Sequence, residues 1–211
     1  MVDTRADVDA RVRTERTHLL HVLDGLDEEQ WRSPSLCAGW SVRDLVVHLL
    51  MPYELSRGGF LRMMLRARFD FDRAADRWAT TDPRSPAEVV AGLRATGHRR
   101  FAVPGAPAEA PLSHLVVHAQ DVYRPLGVPS PTEPENAAIV LGQLTSPRAR
   151  RSLPPGVLDR TAFAATDTDW RHGAGPQVTG PASALLSAIS GRTAALTDLG
   201  GEGLARLRGL L

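Results

Sequence analysis

Seven histidines occur among the 211 residues, and three stand where an ionisable side chain is least expected. His48 lies in LVVHLLMPY, residues 45–53, where the only other ionisable group is the Tyr53 phenol. His114 and His118 lie in PLSHLVVHA, residues 111–119, which has no other ionisable group. Neither run offers a polar face wide enough for a surface helix. Both helices are therefore expected deep in a helical core, carrying three imidazoles with them. Burying an unpartnered imidazolium is unfavourable, and a neutral ring still needs its nitrogens satisfied.

His114 and His118 are four residues apart, so a helix places them one turn apart on one face. A third imidazole from a facing helix, His48, would complete a three-nitrogen set. Three neutral nitrogens with an open fourth position suit a catalytic zinc, and also nickel or another borderline metal. Spacing alone leaves another reading open, that of hydrogen-bonded core histidines. A shared ion requires the three rings to bring nitrogens within about 6 Å of one another, since each ligand bond is only ~2.1 Å long. Asp121, three residues after His118, is placed to orient that ring; otherwise it is an ordinary acid near a helix end. His18, His21, His98 and His172 read as solvated, and Cys37 as a small buried thiol in a connector.

The elements that must position these residues follow from periodicity and end signals. A first helix is expected over residues 7–26, with Val12, Leu19, Leu23 and Leu26 on one face. A second starts at Ser41, with Asp44 completing a capping box, and should run to about residue 68, with a break near Gly58-Gly59. Pro52 should distort it, because its ring clashes with the His48 carbonyl. Ser85, Pro86 and Glu88 open a third helix running to about residue 103. A fourth spans residues 111–124. Four helices with mid-length links describe a bundle over residues 1–129. Beyond Pro129, Pro131 and Pro134 the texture changes. A helix over residues 135–144, short strands at 161–167 and 177–179, and a helix over 181–190 make residues 130–211 a small α+β unit.

Composition excludes several functions. All 25 basic residues are arginine, against 24 acidic ones. With no lysine, the chain lacks the amine of a Schiff-base enzyme, a phosphate-loop protein or a kinase. A net charge of +1 does not point to nucleic acid or an anionic membrane. One cysteine allows no intrachain disulfide. The charged N-terminus MVDTRADVDARVRTER does not read as a signal peptide, and no apolar run approaches the ~20 residues of a membrane span. A cytoplasmic protein is the expectation, acting on a small molecule as a monomer or homodimer, with neither nucleic acid nor membrane as partner. GxSxG, GxGxxG and HExxH motifs are absent.

Two segments resemble a known family. LCAGWSVRDLVVHL, residues 36–49, resembles the opening motif of the mycothiol-dependent maleylpyruvate isomerase family, of the DinB-like superfamily. VHAQDVYRPLG, residues 117–127, resembles its second motif. ATDTDW at 165–170, Gly175-Pro176, Gly180-Pro181-Ala182 and Ser190-Gly191-Arg192 resemble the C-terminal segment of the actinobacterial group. The resemblance implies a mainly α architecture, a DinB-like four-helix bundle with a small C-terminal α+β unit. It implies one divalent metal, usually zinc, on His48, His114 and His118, and mycothiol as thiol cofactor. In the isomerase itself the position matching His114 is a glutamate, so this chain departs toward a three-histidine set. Arg124 is the candidate, by position, for holding a substrate carboxylate. The expected activity is an isomerase or S-transferase reaction on a small electrophile. The alternatives are a non-catalytic metal- and small-molecule-binding bundle and a thiol-independent metal hydrolase.

Overall fold

The computed structural model describes residues 4–101 and 103–211. The chain forms two compact units, Met1–Val128 and Pro129–Leu211.

The first unit holds α1 (Thr4–Asp24), α2 (Glu28–Arg32), α3 (Val42–Glu54), α4 (Arg57–Arg66), α5 (Phe71–Thr80), α6 (Pro86–Ala95) and α7 (Ala110–Tyr123). The bundle is the closed ring made by four of them: α1 packs on α6 and α7, and α3 packs on the same two. The segment α3 is the most deeply buried of these. Ser41 caps it, accepting from the Asp44 N–H while Asp44 accepts from the Ser41 N–H, and every residue from Leu45 to Pro52 is buried. The helix α7 starts with Pro111 in its first turn and buries Leu112, Leu115, Val116, Ala119 and Val122.

Several expected boundaries shift. The second helix does not reach residue 68. It ends at Glu54, because the Ser56 hydroxyl accepts from the Gly59 N–H at 3.0 Å and starts α4. The break thus precedes Gly58-Gly59. The helix passes through Pro52 unbroken, because Pro52 falls in its last turn, where only one turn remains to be disturbed. The third helix stops at Ala95 rather than 103, with Thr96 as its C-cap and its hydroxyl turned back onto the Gly92 carbonyl at 2.9 Å. The short α2 was not expected. It is started by a reciprocal Asp27–Gln30 capping box inside what composition reads as a connector.

The second unit holds α8 (Pro134–Leu144), strands β1 (Ala162–Ala165), β2 (Arg171–His172) and β3 (Gln177–Gly180), α9 (Ala182–Ile189) and α10 (Leu204–Arg208). The sheet order is β2-β1-β3, with β1 antiparallel to β2 and parallel to β3. The helix α9 packs on α8 and on the sheet, and its first turn is held by Asp167, which accepts from the Ala182 N–H at 2.9 Å. Gly180 is required by close approach: a Cβ there would lie 2.8 Å from the Asp198 carbonyl oxygen. Strand β2 and helix α10 were not read from the sequence, being two and five residues long. Among the described residues no helix is long and apolar enough to cross a membrane.

An ionic network fixes α3 at both ends. Near its start, Arg43 donates to the Arg84 carbonyl at 2.6 Å and pairs with Asp44 at 3.1 Å. At its end, Glu54 receives two bonds from Arg84, at 2.8 and 3.0 Å. Arg84 also pairs with Asp82 at 2.7 Å, and its hydrogen bonds hold the Asp82 carboxyl below the usual carboxylate range. A charged-group hydrogen bond contributes about 1.5–3 kcal/mol. Replacing Arg84 by Met is expected to lower stability by about 2 kcal/mol in urea unfolding at pH 7. Because the folded-state value of Asp82 is depressed, its contribution is present above the ordinary value of 3.8 and is lost as pH falls through the lowered one. The gap between wild type and Arg84→Met should therefore narrow below about pH 4.

Candidate metal centre

The three histidines singled out by their apolar surroundings converge. His48 comes from α3, and His114 and His118 from successive turns of α7. One ligand nitrogen from each lies within 4.8 Å of the others. The Nε2 atoms of His48 and His114 are 3.1 Å apart. The ring centroids are 4.9, 5.0 and 5.1 Å apart, pair by pair. Two ligands on one tetrahedral zinc, each at ~2.05 Å, would be about 3.3 Å apart.

Burial sets the charge of this cluster. Desolvation, with His118 nearby, pushes His48 down from 6.5 to about 3. His114 is pushed well below its ordinary value by burial and by its two histidine neighbours. Both rings are therefore neutral at physiological pH, the state a metal requires of imidazole. The donor set thus fits a borderline divalent cation. His48 Nδ1 is also buried without a hydrogen-bond partner.

A further group surrounds the histidines. Asp121, with no exposed surface, lies 3.0 Å from His118 Nδ1 and accepts from the Cys37 thiol at 3.3 Å. The hydrogen bond to Nδ1 leaves the other ring nitrogen of His118 free of that role. Cys37 Sγ is also 3.7 Å from His118 Nδ1, and Cys37, His118 and Asp121 form a second set of donors within 4.8 Å of one another. The Trp40 ring lies against His48 at 4.9 Å, and the Phe101 ring meets His114 at 5.6 Å.

The segment 36–41 explains this convergence. The Leu36 N–H donates to the Asp121 carbonyl at 3.1 Å, pinning the connector to α7. The Trp40 N–H closes a turn onto the Cys37 carbonyl at 3.1 Å, and Gly39 supplies the φ of +82° that this turn needs. Trp40 donates to Asp76 of α5 at 3.0 Å, and Ser41 then caps the helix bearing His48.

Cys37 is therefore half-buried beside His118, not a thiol isolated in a connector. Its neighbours lie more than 80 residues away in sequence, beyond the reach of local spacing. Trp40 and Phe101 were likewise not read as site residues. Arg124 is the half-buried C-cap of α7. The ring contacts and hydrogen bonds above join the histidines to Cys37, Trp40, Phe101 and Asp121. His21 and His98 are exposed, but His18 is half-buried with a buried Nδ1, and His172 stacks on Trp170 at 6.1 Å.

In metal-free protein, the ring nitrogen-15 shifts of His48 and His114 should remain those of neutral imidazole from pH 8 to pH 5. The unfolded chain binds protons at these sites below about 6.5 while the folded chain does not. Stability of the metal-free protein should then fall as pH drops from about 6.5 toward 3. A cationic shift for either ring at pH 6 would contradict this assignment.

The mycothiol maleylpyruvate isomerase N-terminal domain model matches residues 12–122, just over half of the chain. No curated protein matches the sequence. Two crystal structures share the fold across 94% of this chain and 92% of theirs. One is a histidine-to-alanine variant of the mycothiol-dependent maleylpyruvate isomerase, at 14% identity and a TM-score of 0.63. The other is the same enzyme without that substitution named, at 13% identity and a TM-score of 0.57. The matched segment holds α3, α7 as far as Val122 and all three converging histidines, and the chain belongs to the mycothiol maleylpyruvate isomerase N-terminal domain family.

Proposed function

We propose that this protein is a metal-dependent enzyme using mycothiol, of isomerase or S-transferase type, acting on a small electrophile. The observation that carries this reading is the convergence of three neutral imidazoles in a chain of this family. His48, His114 and His118 would hold the cation, with zinc best suited and nickel also compatible. When bound, such an ion acidifies a coordinated thiol, supplying a nucleophile without a separate base. Asp121 orients the His118 ring. Arg124, at the end of the same helix, is the proposed partner of a substrate carboxylate, and its planar fork suits that group.

Histidine at position 114 gives a donor set without charge, where the glutamate that the resemblance places at this position in the isomerase itself would contribute one negative charge. With His114 in place, a cation held by His48, His114 and His118 would keep its full charge, and a thiolate bound there would be held more tightly and be a poorer nucleophile. Turnover of maleylpyruvate is accordingly expected to be weak, or the preferred electrophile to be a different one.

The test is metal analysis with mycothiol-dependent isomerisation of maleylpyruvate. Wild type should take up about one zinc per chain, and His48→Ala should lose it. His114→Glu, fully metallated, should isomerise maleylpyruvate faster than wild type. Wild-type protein that takes up no metal would overturn the reading, whereas equal rates for metallated wild type and His114→Glu would overturn the charge argument alone. Thiol-independent turnover would favour a hydrolase.

Asp121→Asn should weaken zinc affinity about 10–100-fold, the usual effect of removing a carboxylate that orients a ligand histidine. Competition with a chromogenic chelator would measure it.

A further inference from the structure

A cavity of about 510 Å³ lies beside the histidine cluster in the first unit. Tyr53 and Phe101 form part of its wall. The Phe101 ring is 5.6 Å from His114 on one side and 5.8 Å from Tyr53 on the other. The charge of the lining is one-sided: Arg5, Arg13, Arg16, Arg99 and Arg100 against the single acid Asp9. Arg13, Arg99 and Arg100 are exposed and make no ion pair among the described residues.

Arg16 differs from the others. It is only 5% exposed, and its position is fixed. One terminal nitrogen donates to the Leu93 carbonyl at 2.8 Å and to the Thr96 hydroxyl at 3.2 Å. Its guanidinium sits over the Tyr53 ring, 4.6 Å from the centroid. Its Nε is buried without a hydrogen-bond partner. A buried N–H of a cation with no acceptor is destabilising. Arg16 thus places a fixed positive charge in the cavity wall, and a guanidinium whose position is already set favours an oxyanion beside it. A concave site lined by one sign of charge also concentrates ions of the other.

We propose that this cavity is a binding site for a small molecule bearing a carboxylate or phosphate group, with Arg16 as the buried anchor and Arg13, Arg99 and Arg100 as the collecting rim. The volume suits a small metabolite rather than a macromolecule. Phe101 and Tyr53 wall the site on the side of the histidines, so an occupant would lie next to the cluster without being held by it. The site stands on its own lining and does not require the histidines to hold a metal.

Calorimetric titration of the full chain with inorganic phosphate and, separately, succinate would test it, at constant ionic strength, with and without EDTA. At least one anion should bind one-to-one with Kd below about 1 mM, insensitive to EDTA. Saturation by phosphate alone would assign a phosphorylated ligand, and by succinate alone a carboxylate. Arg16→Gln should weaken binding at least about tenfold, as expected for loss of a charge-assisted anchor. Arg99→Gln/Arg100→Gln should weaken it about three- to tenfold with an unchanged melting temperature. Should Arg16→Gln fail to fold, as judged by circular dichroism, the rim double variant decides. Absence of binding by both anions, binding abolished by EDTA, or rim-variant affinity equal to wild type would overturn the proposal.

Discussion

The arrangement of the first unit depends on one carboxylate without solvent exposure. Asp121 projects from the last turns of a largely apolar helix, and a buried carboxylate is tolerated only when donors are brought to it. The donors come from two directions. His118 reaches the carboxylate from the same helix and the Cys37 thiol reaches it from a connector far away in sequence, while the Leu36 N–H of that connector donates to the Asp121 main-chain carbonyl. Because that turn ends in Ser41, the cap of α3, satisfying Asp121 also sets where the helix bearing His48 begins. The acid thus ties the two helices of the histidine cluster into one frame.

The opposite constraint acts on α3 from the α5–α6 loop. Arg43 and Glu54 lie near the two ends of this helix, and both are held by the segment 82–84. His48 sits between them, about midway along. The small residues Ala74, Ala75 and Ala79 bring α5 close to α3, and Trp78 donates to the Val47 carbonyl, one residue before His48, at 3.3 Å. A ring held in this way, on a helix anchored at both ends, has little freedom to adopt another direction. That is the preorganisation a set of metal ligands requires.

Much of this was legible because it rests on local rules. Three imidazoles in apolar runs signalled buried helices, and i, i+4 spacing put two of them on one face. The capping boxes at Ser41 and Ser85 and the strand at 162–165 follow from residue types over a few positions. What was illegible depends on distant partners. Nothing local to Cys37 announces Asp121, and nothing near Phe101 announces His114. His18 looks solvated from its flank position, yet the fold half-buries it. The helix ends at Glu54 and Ala95 were missed for another reason. Each is marked by a hydroxyl: Ser56 accepts from the Gly59 N–H, and Thr96 turns back onto the Gly92 carbonyl. The LCAGW segment lies between these cases. It is conspicuous as a motif, while the tasks of its residues appear only once the turn is seen docked on α7.

The wide sequence separation within the cluster bears on how the protein is made. His48 and His114 are 66 residues apart, and Cys37 and Asp121 are 84 apart. Bringing the ends of a 66-residue loop together costs about 4 kcal/mol in chain entropy, so these contacts must form after local helices, driven by docking of α7. On a ribosome, a chain that has emerged only as far as α6 displays a single histidine of the set and a thiol lacking its carboxylate partner. Such an intermediate offers no chelating cluster to the cell's metal pool. Any loading would thereby be deferred until the bundle is closed, and a cation arriving then would cross-link α3 to α7, two neighbours in the ring that are made far apart in time.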